Sequence, residues 1–374
     1  MLFAEIPGLD EIKHTLIQSV KNNHVAHAQL FAGMKGSGAF NLALAYATYI
    51  NCEDKEDQDA CGRCASCIKY KKLIHPDLHF LFPVANTDSV KDATCDLLMP
   101  SFRELVTDRT FISFNDWLEK LDVENKQLNI KVEESRTAIK KISLKAYEAD
   151  YKVVLIWLPE LMGTEGANAM LKSLEEPPAK TIFLLVAEQS DRLLSTIISR
   201  TQRVNVRPFT DEELNNFLVS QKGLSESDAS KISYLADGSI VEALRLLQDE
   251  EQDYEEKVKQ WLRVCYTGNI PEIIQWSETF SAYARENQKS LLQFALSIFR
   301  DSLMYKEVGG DLIRIDTSEN DLIAKMSLIV DFNKVDKMNK ALNDAYAQVE
   351  RNINSKLVFL DTSFILFKIF KNII

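Results

Sequence analysis

Apolar positions in the first half of the chain fall into two patterns. Residues 9–23 place Leu9, Ile12, Leu16 and Val20 three or four positions apart, and this spacing predicts an amphipathic helix. Continuous apolar runs, typical of strands covered on both faces, occupy 28–32, 152–157 and 181–187. Helical segments are predicted at 41–50, 135–146, 164–176 and 191–199. Strands that alternate with helices predict an α/β domain with a mainly parallel sheet.

The second half of the chain has a different texture. After Pro208 one helical pattern follows another up to Ile374, with breaks at Gly238 and around 268–271. We therefore expect three domains: an α/β domain over 1–209, a small helical domain over 210–267 and a helical bundle over 268–374. In the last helix the positions that recur at helical spacing predict a core-facing stripe of Leu357, Leu360, Phe364 and Phe367.

Residues 84–130 show mixed polarity without a clear long period. We interpret them as an insertion into the α/β domain, with one helix near Phe114 to Leu121.

Composition and charge narrow the possible functions. The chain has 374 residues, 46% hydrophobic and 26% charged, as is ordinary for a globular protein, and a net charge of −11. Free-standing, non-specific DNA binding needs a basic surface, so this charge argues against it. The start of the chain lacks a secretory pattern, and no segment approaches the roughly 18 apolar residues of a membrane span. We expect a cytoplasmic protein with no membrane segment.

Four of the six cysteines form a cluster in the sequence: Cys52, Cys61, Cys64 and Cys67. Four thiolates satisfy a tetrahedral Zn²⁺, and a site with four protein ligands is closed, so we predict a structural zinc ion. Unbound thiols or a redox pair are the alternative, which the acidic neighbours of the cluster disfavour. The spacing does not tell whether such a module binds DNA, a protein or nothing. Cys95 and Cys265 are predicted to be buried, inert thiols.

A glycine-rich segment has the frame of a phosphate-binding loop, with Gly33, Gly36 and Gly38 between a predicted strand and a predicted helix. Such a loop supplies a lysine to the phosphates and then a hydroxyl to Mg²⁺. This chain has Ala39 and Phe40 at those two positions. We therefore predict a loop that keeps its shape without the chemistry that acts on ATP, and we expect no ATP bound by this chain.

Several motifs together resemble a known family. The glycine loop, the Cys-x₈-Cys-x₂-Cys-x₂-Cys segment, the run from Asn168 to Pro178 and the pair Ser199-Arg200 are similar to the clamp-loader branch of the AAA+ ATPases. The resemblance covers 1–50, the cysteine segment and 135–250. It implies an α/β AAA+ (P-loop NTPase-like) domain with a zinc-binding insertion at 52–67, a small helical lid domain, and an all-α C-terminal bundle that oligomerises as a collar.

The resemblance also implies that the ATP machinery is incomplete. Active relatives carry acidic residues after the strand that ends at Ile156, where this chain has Trp157 and Leu158, with Pro159 next. Glu160 lies past the strand end, and Val241 stands where relatives that bind ATP have an arginine. Phosphoryl transfer depends on cations and positioned groups at the developing charge. A subunit that lacks all of these elements is expected not to hydrolyse ATP.

Ser199-Arg200 resembles the Ser-Arg-Cys motif of that family, with Thr201 in place of the cysteine. In the family this arginine reaches into the ATP site of a neighbouring subunit, a role that suits the permanent charge and planar fork of a guanidinium. The alternative from position alone is an arginine that complements the dipole of a helix end.

The resemblance implies a non-hydrolysing subunit of the clamp loader of bacterial DNA polymerase III. Its expected partners are ATPase subunits of the gamma/tau type and a delta-type subunit, with the sliding clamp and primer–template DNA contacted through the complex. Two alternatives stay open. One is an ATPase that recruits Lys35 to the phosphates, and the other is a zinc-dependent DNA-binding module.

Overall fold

The computed structural model describes residues 1–88, 90–123, 126–248, 254–308 and 321–373. It divides into two compact units, Met1–Arg245 and Leu246–Ile374. The predicted insertion, lid and C-terminal domain each include some positions outside the described residues, namely 89, 124–125, 249–253, 309–320 and 374. The predicted limits of three domains, 1–209, 210–267 and 268–374, stay predictions.

A five-stranded parallel sheet forms the centre of the first unit. Its described strands are β1 Ala28–Ala32, β2 Leu78–Leu81, β3 Lys152–Trp157, β4 Thr181–Ala187 and β5 Gln202–Asn205. They lie in the order β2-β3-β4-β1-β5, and each neighbouring pair is parallel. The register pairs Ala28 with Phe183 and Gln29 with Gln202. All carboxyl ends of the strands therefore lie at one edge of the sheet.

Burial explains which strands the sequence reveals. Every residue of β1, β3 and β4 is buried, so these strands are continuous apolar runs, and all three predictions are confirmed. The two outer strands were not predicted. β2 is only four residues long and has two partly exposed positions, and β5 is polar and largely exposed. Edge strands of this kind carry no hydrophobic period that the sequence can display.

Eleven α-helices are described between the start of the chain and Gln248. Their bounds are α1 Asp10–Lys21, α2 Ala39–Ile50, α3 Ala65–Lys71, α4 Cys95–Asp108, α5 Phe114–Leu121, α6 Val132–Ser143, α7 Thr164–Glu175, α8 Ser195–Ile198, α9 Asp211–Lys222, α10 Glu226–Ala236 and α11 Ile240–Gln248. Short 3₁₀ turns occupy Phe3–Glu5, Pro159–Leu161 and Ser190–Arg192. One face of the sheet packs against α6 and α7, whose Ile142, Met170 and Leu174 are buried with Val154 and Phe183.

The segment 84–130 leaves the sheet and returns to it. An antiparallel bridge joins Val84 to Asn129, with N–H···O distances of 2.9 and 3.3 Å, so its two ends meet. The helix predicted near Phe114 to Leu121 is confirmed as α5. A second helix, α4, was missed because Pro100 interrupts its sequence pattern.

The stretch predicted as one helix over 191–199 is two short elements. Ser190–Arg192 is a 3₁₀ turn, and only Ser195–Ile198 is α-helical. The prediction of one long helix was wrong here because Leu193 and Leu194 adopt extended backbone angles between the two turns. The prediction after Pro208 is confirmed: the described residues that follow contain helices and no strand.

The second unit is helical throughout its described residues. It contains α12 Tyr254–Thr267, α13 Ile270–Ala282, α14 Arg285–Val308, α15 Asp321–Ser327, α16 Phe332–Glu350 and α17 Ser355–Phe370. Trp261, Phe280 and Phe359 stack at its centre, with ring centroids 4.6 and 4.1 Å from that of Phe359.

The predicted core stripe of α17 lies on the wrong face. Leu357 is 62% exposed, and the other three members of the stripe are only partly buried. The buried positions of this helix are Val358, Phe359, Thr362, Ser363, Leu366, Ile369 and Phe370. Because α17 is apolar on nearly every side, helical spacing alone does not identify the side that packs.

Candidate functional site

The glycine loop lies directly after β1 and begins α2, as predicted. Gly36 and Gly38 have φ angles of +79° and +77°, which glycine adopts without strain. The backbone of Ile240 donates a hydrogen bond of 3.0 Å to the Gly36 carbonyl. A Cβ on Gly36 would lie 1.9 Å from Ser239 Oγ. The start of α11 therefore rests on the loop, and Gly36 makes this close approach possible.

The two positions that should act on ATP are packed into the protein core. Ala39 is 7% and Phe40 6% exposed. The Phe40 ring lies edge-on to Trp157, with centroids 5.9 Å apart, and 6.1 Å from Phe102. Phe102 in turn contacts Phe82 and Trp117. An aromatic cluster thus joins the loop to the end of β3, the two places where the family resemblance implied metal-binding groups.

Glu160, the acidic residue nearest to the end of β3, binds backbone. Its Oε1 accepts hydrogen bonds of 2.8 and 2.9 Å from the N–H groups of Glu188 and Gln189, just after β4. Burial raises the pKa of the Glu160 carboxyl, an effect that these N–H groups oppose. Glu160 therefore ties the ends of two neighbouring strands together.

Lys35 lies within the glycine loop and is partly exposed. Its ammonium group makes no hydrogen bond or ion pair with any residue of the described ranges. This side chain is the cation that the ATPase alternative would need.

The four clustered cysteines come together in space. Their Sγ atoms all lie within 4.8 Å of one another. A tetrahedral zinc site with Zn–S bonds of about 2.3 Å places its sulfurs about 3.8 Å apart, so the cluster has nearly the size that this metal requires. Cys52 follows the end of α2, Cys67 lies in α3, and Cys61 and Cys64 lie in the turn before that helix.

Backbone hydrogen bonds orient the thiols. The N–H groups of Cys61, Cys64 and Cys67 donate to the sulfurs of Cys52, Cys61 and Cys64 over 3.3 to 3.4 Å. Gly62, at a φ of +69°, allows the turn. Burial alone would raise the pKa of Cys61, but N–H donors from Arg63 and Cys64 lower it to about 7. These donors favour the thiolate of Cys61, the form that binds metal, whereas burial raises the pKa of Cys52 and Cys67.

The cysteine module is tied to the start of the chain. The Asp59 carboxylate accepts hydrogen bonds from the N–H groups of Phe3 and Ala4 at 3.0 and 2.8 Å. Cys95 and Cys265 are buried away from this cluster, as predicted, and burial raises the pKa of both thiols.

Arg200 follows α8 and lies at the surface. Its side chain is 31% exposed, its Nε donates to Glu175 Oε2 over 3.1 Å, and its Nη1 donates to the Thr196 carbonyl over 3.1 Å. An open depression of about 370 Å³ surrounds it, lined by His27, Leu174, Glu175, Ser199, Arg200 and Thr201. His27 has a packing role, because its Nε2 lies 2.9 Å from the Leu174 carbonyl oxygen.

The structure does not bring Arg200 and the glycine loop together. The loop follows the carboxyl end of β1, whereas Arg200 precedes the amino end of β5, which is parallel to β1 and paired with it. β1 has five residues, and a strand rises about 3.3 Å per residue, so roughly 15 Å of sheet separates the two sites. The two candidate sites lie at opposite edges of the sheet.

Sequence reasoning missed two charged groups next to these sites. Glu175 accepts a hydrogen bond from Arg200. The sequence feature that could have identified it is an acidic residue at the C-terminal end of a helix, where the helix dipole disfavours negative charge. Arg207 binds both Glu11 and Glu213 at 2.8 Å, and nothing in the local sequence indicates that link.

None of the helices in the described ranges combines the length and the apolar character needed to cross a membrane.

Comparisons with known proteins agree on one family. A family model described as "DNA polymerase III, delta subunit" matches residues 8–210, more than half of the chain. The delta′ subunit of DNA polymerase III from Bacillus subtilis is 27% identical over 301 residues, which are 79% of this chain and 77% of that protein.

The tau subunit of the same organism is 24% identical over 366 residues, covering 91% of this chain, but the chain spans only 57% of its length. Among solved structures, a protein of Thermotoga maritima related to the gamma subunit of DNA polymerase III is 15% identical. It covers 95% of this chain and 98% of its own at a TM-score of 0.40, a likeness too low to bear on function.

Proposed function

The chain belongs to the DNA polymerase III delta-subunit family, and we propose that it works as the delta-prime subunit of a bacterial clamp loader. In this role it hydrolyses no ATP itself. It helps ATPase partner subunits load a ring-shaped sliding clamp onto primed DNA during replication, and it offers Arg200 to the ATP site of a neighbouring subunit. The observation that carries this proposal is the position of Arg200 at the sheet edge opposite to its own glycine loop.

That position favours a role of Arg200 at the ATP site of a neighbouring subunit over a role at its own glycine loop. Roughly 15 Å of sheet lies between Arg200 and the loop, a distance that one arginine side chain does not span. The guanidinium is partly exposed beside an open depression, so an approaching subunit has access to it. A guanidinium suits phosphate because it is always charged and donates several hydrogen bonds in one plane.

The packing of the glycine loop supports the absence of ATP hydrolysis. A phosphate loop needs a cation for the phosphates and a hydroxyl with nearby acids for Mg²⁺. Here Ala39, Phe40 and Trp157 are buried against other apolar groups, and Phe40 and Trp157 contact each other. Rings packed at 5.9 Å leave no oxygen ligand for a metal between them.

The cysteine cluster supports a structural Zn²⁺ ion held by Cys52, Cys61, Cys64 and Cys67. Four sulfur ligands leave no open position, so the ion would stabilise this part of the chain and take no part in a reaction. The bonds from Asp59 to Phe3 and Ala4 would extend that stability to the start of the chain.

The remaining assignments follow from the same proposal. The partners are ATPase subunits of the gamma/tau type and a delta-type subunit, and the complex as a whole contacts the sliding clamp and primer–template DNA. The α/β domain over 1–209 carries the glycine loop, the cysteine cluster and Arg200. Residues 210–267 form the lid, and residues 268–374 form the collar that holds the subunit in its ring.

The decisive experiment measures clamp- and DNA-stimulated ATP hydrolysis by a loader reconstituted from this chain and its partner subunits. Arg200→Ala should remove the part of the rate that comes from the adjacent site, because an arginine finger typically contributes about 10³ to 10⁵ in kcat at the site it serves. The other sites keep their own arginines, so the total rate falls only in part. Arg203→Ala is the matched control, since Arg203 is an exposed arginine on β5 that binds Asn205 and Ser190.

The outcomes separate the proposal from its rivals. An unchanged rate with Arg200→Ala, in a loader that still assembles, would refute the role in trans. ATP binding by the isolated chain that Lys35→Ala abolishes would favour the ATPase alternative. Tight binding of primed DNA by the isolated chain, lost with Cys64→Ser, would favour the DNA-binding alternative.

A further inference from the structure

The Arg200 side chain is held in place by two hydrogen-bond acceptors. Its Nε donates to Glu175 Oε2 and its Nη1 donates to the Thr196 carbonyl, each over 3.1 Å. Glu175 ends α7 and Thr196 lies in α8, so the two acceptors come from different helices. The guanidinium therefore has a defined orientation before any ligand reaches it.

The side of the guanidinium that stays open is the side a phosphate would use. A guanidinium has five N–H donors, one on Nε and two on each terminal nitrogen. Glu175 and Thr196 engage one donor on Nε and one on Nη1, and within the described residues Nη2 makes no hydrogen bond. Three donors thus remain at the outer end of the fork. A phosphate can bind there while Glu175 stays in place.

The location of Glu175 is unfavourable for an acidic residue unless it has a partner. It is the last residue of α7, where the carbonyl end of the helix dipole repels negative charge. Glu176 and two prolines follow, and Lys172, the cation in the same last turn, makes no ion pair with Glu175 among the described residues. The cation comes instead from Arg200, 25 positions along the chain. A local conflict of this kind, relieved by one contact, is typical of functional sites.

The ion pair between Glu175 and Arg200 is better suited to orienting the guanidinium than to stabilising the fold. The Glu175 side chain is 60% exposed, and exposed ion pairs contribute little to folding. A side chain that is already oriented, however, gives up less conformational freedom when it binds its target. Correct placement of a charged group matters far more to a reaction rate than to stability.

We infer that Glu175 is a positioning residue for Arg200, which it holds ready for the phosphates of an ATP bound by a neighbouring subunit. This inference rests on the proposed function and adds a second residue to it. Glu175 touches neither ATP nor the reacting atoms, and it acts only through the guanidinium.

The test uses the reconstituted loader and steady-state ATP hydrolysis with clamp and primed DNA. Glu175→Gln should lower the kcat of the Arg200-dependent activity by roughly tenfold, less than loss of the arginine itself, because a neutral amide orients the guanidinium weakly. The KM for ATP should stay within about twofold. Glu176→Gln is the matched control, because Glu176 is the adjacent carboxylate and its side chain has no partner among the described residues.

A double variant separates positioning from a general structural effect. Glu175→Gln combined with Arg200→Ala should be no slower than Arg200→Ala alone, since Glu175 has nothing left to orient. The melting temperature of Glu175→Gln should match that of the parent chain.

Each other outcome overturns the inference. Full activity of Glu175→Gln while Arg200→Ala is slow would leave the proposed function intact and remove Glu175 from it. A further loss in the double variant would show that Glu175 acts elsewhere. A lower KM for ATP would make Glu175 a competitor of phosphate. If Arg200→Ala itself changes nothing, the proposed function fails first and this inference fails with it.

Discussion

Phe40 occupies the position that a phosphate-binding loop gives to its metal-binding hydroxyl. The glycine loop around it keeps the positive φ angles of Gly36 and Gly38, which depend only on the backbone. At Phe40 a ring replaces the metal-binding hydroxyl and packs against Phe102 and Trp157. Aromatic side chains bury much apolar area and stabilise each other in edge-on pairs. A position that carries chemistry in a phosphate-binding loop therefore contributes here to stability.

This exchange predicts a large effect of Phe40→Ala on stability. The substitution should lower the free energy of unfolding by about 3 to 5 kcal/mol, because it removes a buried ring and leaves a cavity that the aromatic cluster cannot fill. Urea denaturation followed by tryptophan fluorescence measures it. Met34→Ala, in the same loop but 41% exposed, should change the midpoint very little. Equal effects of the two substitutions would contradict the packing role.

The glycine loop also shows which features of a residue a local sequence pattern can predict. The absence of lysine and threonine at Ala39 and Phe40 is visible in the sequence because each position in a phosphate loop has one fixed role. The partner of Phe40 is not visible, because Trp157 lies 117 positions away and the two meet only through the sheet.

At the scale of elements, the cysteine turn and α3 form one small unit. α3 has seven residues, fewer than an isolated helix needs to be stable in water. Cys64 is its N-cap, and the sulfur accepts the N–H of Cys67 over 3.4 Å. The helix therefore depends on the same side chains that would hold the metal.

Removing one ligand should release the zinc and loosen this unit. Serine is a good N-cap, so Cys64→Ser keeps an acceptor for the helix while it removes a sulfur ligand. We expect one zinc per chain in the parent protein, much less in the variant, and a clearly lower melting temperature. Metal analysis by mass spectrometry and a thermal melt measure both. Cys95→Ser, away from the cluster, should retain the zinc. Equal metal content in the parent chain and Cys64→Ser would refute the site.

The strands and α17 also show where the pattern of apolar residues predicts structure and where it does not. The strands β1, β3 and β4 were predicted because sheets covered on both faces select continuous apolar runs. The packed face of α17 was not predicted correctly, since apolar residues lie on most sides of this helix. Its neighbours α12, α13 and α16 select the buried side, and the helix alone carries no record of their positions.

At the scale of the whole molecule, Arg207 connects parts of the first unit that are distant in sequence. Its guanidinium binds Glu11 in α1 and Glu213 in α9. Glu213 also accepts a hydrogen bond from the Leu9 N–H over 3.0 Å, across 204 positions. The start of the chain, the end of the sheet and the first helix of the predicted lid thus share one charged junction.

This junction makes stability depend on pH. Burial alone would raise the pKa of Glu213, but hydrogen bonds from Arg207, Thr210 and Leu9 outweigh it and lower the pKa to about 2. An unfolded glutamate has its ordinary pKa of 4.5. A lowered carboxyl pKa stabilises the folded state above the unfolded pKa, and this contribution disappears as the pH falls from about 4.5 to about 2.

Glu213→Gln should therefore lower the free energy of unfolding by about 2 kcal/mol at pH 7, the size expected for charged hydrogen bonds. Glutamine preserves the capping box at the start of α9, so the local helix signal is unchanged. Urea titrations between pH 7 and pH 2.5 should show the difference from the parent chain shrinking below pH 4.5. Glu212→Gln, an exposed neighbour, should follow the parent chain at every pH. A difference that persists at low pH would show that charge is not the cause.

The sequence by itself determined the features that reside in short stretches of chain. Apolar runs specified the three central strands, the spacing of four cysteines specified a candidate metal site, and Ala39 and Phe40 in the glycine loop led to the prediction of a loop without ATP chemistry. Each of these depends on neighbours a few residues apart, so the pattern is complete before the chain folds.

Only the tertiary structure decided the features that depend on distant partners. The aromatic packing of Phe40, the hold of Glu175 on Arg200 and the junction at Arg207 each join residues that no local period relates. The same is true of the placement of Arg200 and the loop at opposite edges of the sheet, which follows from parallel pairing of β1 with β5. Contacts between distant segments have no repeat in the sequence, because strand order and helix packing bring them together.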